Sequence, residues 1–405
     1  MLEIKGEYNT AKVFTDEVEE EAVAQIKEMC DMEYLKDCDI RIMPDVHAGK
    51  GCTIGTTIKI KDKVCPNYVG VDIGCGVMVC KFDTSDLDLK AVDEFINNNI
   101  PSGMNIYEER NLDDWFERYI YKEWEKLLDE IKAPIDKDRA LKSIGTLGGG
   151  NHFIEISKTD DVYYLIIHTG SRHLGLEVAK YYQEQAYKQS NSNKPEVDVI
   201  IKELKDQGRE NEIEQVLKDI KNNKKHFTKD NAYITGDLFY DYIHDIDIIQ
   251  EYAHCNRSLI AHKILEFIGS DIHILECDTV HNYIDIETMI LRKGSVRAKD
   301  GETFILPLNM RDGSLLCVGK GNEDWNYSAP HGAGRLMSRT KAKQEINLEE
   351  YKKSMDGIYS TSVCEETLDE SPMAYKNADS IRDNIHQTAT IVEHIKPIYN
   401  FKAKS

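Results

Sequence analysis

Apolar and polar positions along this chain follow two rhythms, one of period two and one of about 3.6 residues. Short apolar or alternating runs at 40–43, 53–60, 163–167, 271–276, 304–307 and 315–318 predict strands. Stretches at 13–29, 86–98, 108–132, 176–188 and 237–268 predict helices. For the first of these Thr15 is the expected N-cap, because acids follow it where helix N–H groups lack partners. Residues 196–225, rich in lysine and glutamate around Gly208, read as a solvated helical hairpin or insertion. A last helix is expected in the tail from Ser380. The apolar run at 69–80 is strand-like but interrupted by Gly70, Gly74 and Gly76. Strands and helices intermingle without a repeat, a low-complexity tract or a linker. The expectation is an α+β fold in one compact domain over residues 1–405.

Composition narrows the class. A chain of 405 residues can bury a large core, and 41% hydrophobic content with a mean hydropathy of −0.50 points to a soluble globular protein. No apolar run reaches transmembrane length, and the opening M-L-E-I-K-G-E-Y lacks a signal-peptide layout, so a cytoplasmic protein without a membrane partner is expected. Ten cysteines without C-x-x-C pairs fit a reducing compartment and no disulfide framework. A net charge of −21 argues against general electrostatic binding to nucleic acid. It permits a local basic site, since charges act within a Debye length of about 8–10 Å.

Candidate chemistry gathers at glycine-rich turns. The stretch Y-S-A-P-H-G-A-G-R-L-M-S-R-T-K-A-K at 327–343 puts His331 on a turn beside backbone that small residues leave open to a phosphate. Arg335, Arg339, Lys341 and Lys343 then form a cationic wall on what reads as the next helix, a setting that suits a histidine attacking phosphorus. Upstream, P-D-V-H-A-G-K-G at 44–51 brings Asp45 and His47 to a site-like loop after a strand. Asp72-x-x-Cys75 offers one hard oxygen and one thiolate, and a carboxylate in such an apolar run needs a hydrogen-bonding or metal partner. His152 follows three glycines and Asn151; His168 ends a strand before glycine; His281 edges another apolar run. A lone histidine of this kind is more often a core or turn residue. Together, Asp72, Cys75, His152, His168 and His281 exceed one tetrahedral site and suit two adjacent divalent ions, manganese or zinc. His244, His254 and His262, spaced ten and eight apart, do not suit chelation from one helix and read as structural.

These motifs resemble the RtcB family of RNA-splicing ligases over nearly the whole chain: M-P-D-V-H at 43–47, D-I-G-C-G at 72–76, G-G-G-N-H-F-I-E at 148–155, H-T-G-S-R at 168–172, H-N-Y at 281–283, R-K-G at 292–294 and H-G-A-G-R-L-M-S-R at 331–339. The resemblance implies that family's own α+β fold, mixed sheets around a dinuclear site, two Mn²⁺, GTP, and RNA with broken ends as substrate. The implied reaction joins a 2′,3′-cyclic phosphate or 3′-phosphate end to a 5′-hydroxyl end. It also implies His331 as the nucleophile that carries GMP, with Asp45 on its other nitrogen. Cys75, His152 and His168 correspond to one metal's ligands, and Asp72, Cys75 and His281 to the other's. Asn151, Glu155, Ser314, Ala333, Gly334, Tyr375 and Lys402 fall at guanylate-holding positions, with Glu155 and Lys402 as guanine readers. Arg172, Lys293, Arg335 and Arg339 stand as phosphate contacts. An archease-type activating protein and a monomeric state complete the expectation. The chain departs from the family's commoner pattern at P-L-N-M-R-D-G-S, residues 307–314, and in the loop leading to His331. The competing readings are a dinuclear metal-dependent RNA phosphodiesterase and an inactive RNA- or nucleotide-binding paralogue.

Overall fold

The computed structural model describes residues 1–110, 114–160, 162–192, 194–222, 226–270, 273–376 and 378–403. In chain order the N-terminal part runs β1 (Leu2–Lys5), β2 (Thr10–Val13), α1 (Glu20–Cys30), β3 (Asp39–His47), β4 (Ile54–Lys59), β5 (Lys63–Val64) and β6 (Gly76–Phe82). The middle runs α2 (Leu89–Asn99), α3 (Trp115–Leu127), α4 (Lys137–Ser143), β7 (Phe153–Thr159), β8 (Val162–Thr169) and α5 (Arg172–Ser190). Then follow α6 (Lys194–Asp206), α7 (Ile213–Asn222), β9 (Ile234–Thr235) and α8 (Asp237–Ile268). The last third holds β10 (His273–Val280), β11 (Asn282–Asp285), β12 (Ile290–Lys293), β13 (Ser295–Arg297), β14 (Thr303–Asn309), β15 (Gly313–Gly319) and β16 (Ser328–Pro330). It closes with α9 (Arg339–Glu345), α10 (Leu348–Ser354), α11 (Ala378–Ile385) and β17 (Ala389–Lys402). The α+β expectation stands.

Among the described residues the strands form a six-stranded sheet, β1-β2-β3-β4-β12-β11, and a seven-stranded sheet, β10-β6-β8-β7-β17-β15-β14, with the short ladders β13-β16 and β5-β9. The six-stranded sheet is mixed, since β2 runs parallel to β3. Ile40, Ile42, Ile58 and Leu291 from this sheet pack with Ile26 of α1, Val178 and Tyr182 of α5, and Ile246 and Ile249 of α8.

Strand alternation divides the seven-stranded sheet into two faces. Ile154, Ile156, Leu165, Ile167, Tyr399 and Phe401 point to one side and meet Ile260 and Ile264 of α8 and Ile96 of α2. Each such buried apolar side chain contributes about 1.5–3 kcal/mol. The other face gathers Val77, Val79, Phe153, Ile166, Cys277, Ile305, Leu316 and Ile395 into one cluster. That cluster draws on both edge strands, and Ile305 N donates to Thr279 Oγ1 at 3.1 Å, so the sheet curls and this face becomes concave.

Several expectations change. The helix expected over 13–29 starts only at Glu20, and Thr15 does not cap it; its hydroxyl accepts from Glu17 N at 3.2 Å. Val13 belongs to a strand paired with Ile42, so sheet pairing claims the first residues of that apolar pattern. The strand at 40–43 extends through His47, which puts Asp45 and His47 in the strand rather than in a loop. The run at 69–80 is strand only from Gly76, while Gly74, at φ +74°, folds the preceding segment against α8. The helix expected over 108–132 is shorter, and its residues 111–113 lie outside the described residues. So do residues 271–272 of the strand expected at 271–276, which runs on to Val280. The hairpin expected at 196–225 corresponds to α6, which begins at Lys194, and α7; its residues 223–225 lie outside the described residues. Beyond the expected tail helix, β17 was not anticipated; it inserts between β7 and β15.

Candidate functional site

The concave face sets the site. Register pairs Phe153 with His168, Lys402 with Phe153, and Asn400 with Glu155, so period two turns all five side chains toward the same side. The loop carrying Asp72 and Cys75 enters at the start of β6, where Gly76 pairs with both Thr169 and Val280. His281 N donates to Cys75 O at 2.9 Å, which brings the end of β10 to the same place. There Cys75 Sγ lies 3.5 Å from His152 Nε2 and 3.3 Å from His168 Nε2. His168 Nε2 is 3.4 Å from His281 Nε2, and Asp72 Oδ2 is 3.0 Å from His152 Nε2. No Cβ fits beside this carboxylate: one built on Gly170 would stand 2.2 Å from Asp72 Oδ1.

The donors are prepared for a cation. His152 Nδ1 is 2.9 Å from Leu147 O, and His168 Nδ1 is 3.1 Å from Asn151 O. Carbonyls only accept, so each Nδ1 carries a proton; His168 Nε2 turns a lone pair inward, while His152 Nε2 shares a proton with Asp72 Oδ2 that a bound cation would displace. Burial and the neighbouring imidazoles hold His168 well below its ordinary pKa, and burial with His331 does the same to His281, keeping both neutral. Burial alone would raise the Asp72 carboxyl; the hydrogen bond and charge of His152, with the charge of Arg172, outweigh it and hold it at about 2. Burial and the Asp72 charge push the Cys75 thiol well up, a proton that a bound cation would displace. The donor atoms of Cys75, His152 and His168 all lie within 4.8 Å of one another, so this buried group could hold a metal ion.

His331 faces this cluster from the end of the short β13-β16 ladder. It follows β16, whose Pro330 pairs with Ser295, and it meets Asp45 near the end of β3. His331 Nδ1 lies 2.7 Å from Asp45 Oδ2, and the His331 backbone N–H donates to the same oxygen at 3.1 Å. The carboxylate accepts, so Nδ1 is protonated and Nε2 is the nitrogen that can present a lone pair. The ring centroid stands 5.1 Å from that of His281. Asp45 is fully buried, and among the described residues its Oδ1 has no hydrogen-bond partner. Gly294, at φ +60°, makes room: a Cβ there would meet Ile54 at 2.2 Å and His331 Cε1 at 3.3 Å.

Both features open into one cavity of about 350 Å³, a volume in the range of small-molecule sites. Asn151, Glu155, Ala333, Gly334, Tyr375 and Lys402 line it together with Asp72, Cys75, His168, His281 and His331. Ser314 is buried on the neighbouring strand, and its hydroxyl has no partner among the described residues. Glu155 accepts from Ser157 Oγ at 2.7 Å and from Asn400 Nδ2 at 3.0 Å; burial nevertheless pushes its carboxyl up to about 7. Leu308, Asn309 and Met310 of the divergent segment also line the cavity, and Arg311 pairs with Asp312 at 2.7 Å.

The cationic wall differs from its expected form. Arg339 Nη1 is 2.7 Å from both Asp369 Oδ2 and Glu370 Oε1, while Lys343 reaches Asp369 at 3.5 Å and Lys341 reaches Glu345 at 3.8 Å. Arg335 precedes α9 and lies 3.5 Å from Glu370. Glu370, which sequence reasoning missed, also accepts from Lys402 Nζ and from Tyr375 Oη, each at 2.7 Å. Burial alone would raise its carboxyl; the charges of Lys402 and Arg339 hold it at about 2. Arg172 and Lys293, expected at phosphates, do not line the cavity. Arg172 donates to Thr146 Oγ1 at 3.1 Å and to Gly103 O at 3.0 Å. Lys293 is buried and donates to the carbonyls of Lys50 and Asn67. No helix among the described residues is long and apolar enough to cross a membrane.

Comparison with known proteins supplies the context for this arrangement. The family model described as tRNA-splicing ligase RtcB matches residues 25–403. The RNA-splicing ligase RtcB of Escherichia coli K12 is 30% identical over 382 residues, covering 84% of each chain. The tRNA-splicing ligase RtcB of Archaeoglobus fulgidus is 27% identical over 466 residues, covering 94% of this chain and 91% of its own. The RNA-splicing ligase RtcB homolog 2 of Entamoeba dispar is 25% identical over 445 residues, covering 88% and 79%.

Proposed function

The chain belongs to the RtcB family of RNA-splicing ligases, and from that premise we propose that it joins RNA 2′,3′-cyclic phosphate or 3′-phosphate ends to 5′-hydroxyl ends with GTP and two Mn²⁺. One observation carries the reading: a histidine pinned at Nδ1 by a buried carboxylate 2.7 Å away stands against the Cys/His cluster in a cavity of nucleotide-binding size. Cys75, His152 and His168 would hold one ion, and Asp72, Cys75 and His281 the other. When bound, the ions supply positive charge against phosphoryl oxygens. His331 Nε2 gives its lone pair to the α-phosphorus of GTP while the bond to pyrophosphate breaks, and the chain carries GMP as a phosphoramidate. Asp45 holds the Nδ1 proton and stabilises the charge that the ring acquires as the P–N bond forms.

Where the end is a 2′,3′-cyclic phosphate, water first breaks its P–O2′ bond to leave a 3′-phosphate; that phosphate then takes the GMP as the P–N bond to His331 breaks, and the 5′-hydroxyl attacks the activated end with release of GMP. Glu155 and Lys402 read guanine, with Asn151, Ser314, Ala333, Gly334 and Tyr375 around the nucleotide. Arg335 and Arg339 meet RNA phosphates at the cavity, and Arg172 steadies the charge of Asp72. A dinuclear phosphodiesterase would use the same metal donors but would leave the His331–Asp45 pair and Lys402 idle. The test is a pair of RNAs, one ending in a 2′,3′-cyclic phosphate and one beginning with a 5′-hydroxyl, incubated with Mn²⁺ with and without GTP. Joined product only with GTP is expected; phosphate release without joining would replace this reading by the hydrolase.

A further inference from the structure

Asn256 and Arg257 stand side by side on α8, and both are fully buried. Arg257 chelates Asp278, Nε to Oδ1 at 2.6 Å and Nη2 to Oδ2 at 2.7 Å. Its Nη1 donates to Gly74 O and to Thr169 O, each at 2.9 Å. Asn256 Oδ1 accepts from Gly145 N at 2.7 Å and Thr146 N at 3.0 Å, while its Nδ2 donates to Thr146 O and Gly170 O, each at 3.1 Å. His254 Nδ1 donates to Asp278 Oδ2 at 2.7 Å from the half-exposed end of this network.

The partners are not scattered through the core. Gly74 precedes Cys75, and Thr169 and Gly170 follow His168. Asp278 sits on β10 just before His281. Gly145 and Thr146 lead into Leu147, whose carbonyl accepts from His152 Nδ1. We propose that Asn256 and Arg257 are the positioning residues of the metal centre, a buried polar plinth that holds the segments bearing Cys75, His152, His168 and His281 in one register. The inference rests on the reading that these residues bind a divalent ion. Neither Asn256 nor Arg257 touches the ion or the RNA; both act through ligand-bearing backbone. Packing alone does not call for such a pair, because a buried ion pair is often no more stabilising than apolar side chains of similar volume. What the pair supplies is fixed geometry for the turns at Gly74, at Gly145 and Thr146, and at Gly170, tied to the ladder residues Thr169 of β8 and Asp278 of β10.

The test uses Co²⁺ as the probe, through its visible bands and its thiolate charge-transfer band, on the full-length protein. Arg257→Lys keeps the charge but has three donors on one atom, where the guanidinium makes four bonds, two of them parallel to Asp278. It is expected to keep its helical circular dichroism while Co²⁺ affinity falls about 10-fold or more and the charge-transfer band weakens. Ile264→Ala, buried on the same helix against the sheet, is the control: it should lower the thermal midpoint and leave Co²⁺ affinity unchanged. If Arg257→Lys loses stability but binds Co²⁺ like the parent, the positioning role is overturned. Should Arg257→Lys not fold, His254→Ala carries the test; a loss of about threefold is expected, and unchanged affinity overturns the role. No thiolate band in the parent would overturn the metal reading itself, a result distinguishable from either outcome above.

Discussion

Asp45 makes His331 a directed nucleophile rather than a free imidazole, because an acceptor-only carboxylate permits a single tautomer at 2.7 Å. Asp45→Asn can turn its amide toward the ring and favour the wrong tautomer. Its guanylylation rate, measured with labelled GTP, is expected to fall about 10²- to 10⁴-fold with the fold retained. Glu155 gives a pH signature. Burial pushes its carboxyl up to about 7, whereas guanine N1–H and N2–H₂ need an ionised acceptor. GTP affinity should therefore rise as pH increases through about 7, and Glu155→Gln should flatten that profile and narrow the GTP-over-ATP preference about 10- to 100-fold. Stability runs the other way. Between the ordinary carboxyl pKa and about 7 the folded chain holds a proton that the unfolded chain has released, so stability declines as pH rises there. Calorimetry across this range should show the decline in the parent and not in Glu155→Gln. Asp72, Cys75 and the site histidines were legible because each sits beside a glycine or at a strand end. Glu370 was not: it lies in a short 3₁₀ turn without periodicity, and Arg339, Tyr375 and Lys402 reach it only through folding.

At the level of elements, β17 explains why a residue so near the end of the sequence enters the site. Asn400 and Lys402 pair with Glu155 and Phe153, while Tyr399 and Phe401 pack on the opposite face. A chain ended after Tyr399 loses this ladder and the burial of Phe401, a change of about 3–5 kcal/mol for the aromatic side chain alone. Lys402→Met keeps both. Thermal unfolding should show the truncated chain less stable than Lys402→Met, which itself falls below the parent because buried Glu370 loses its 2.7 Å cation, with GTP binding weakened in both. Period two and apolar runs revealed the individual strands, and the long helix at 237–268 matches α8. Pairings between distant strands leave no local pattern, so the insertion of β17 between β7 and β15 was invisible. The same holds for Asn256 and Arg257, whose polar side chains look like ordinary helix positions until the loops below them are seen. At the N-terminus the parallel pairing of Val13 with Ile42 overrode a helical pattern that local propensity favoured.

Across the whole molecule, the site draws on residues from Asp45 to Lys402, so neither half of the chain could build it alone. The seven-stranded sheet supplies the cluster of Cys75, His152 and His168 and the end of the cavity lined by Glu155 and Lys402, and the six-stranded sheet supplies Asp45. His331, following β16, lies between them. The net charge of −21 coexists with a local cationic set at the cavity, where Asp369 and Glu370 hold Arg335 and Arg339 in place. The central claim is that this geometry makes His331 the carrier of GMP. Incubation of the parent and of His331→Ala with labelled GTP and Mn²⁺, followed by acid and base treatment and peptide mapping, tests it directly. The account predicts an acid-labile, base-stable nucleotide on His331 in the parent and none in His331→Ala, with metal content alike in both. A nucleotide mapped to another residue, or one that persists in His331→Ala, would contradict it.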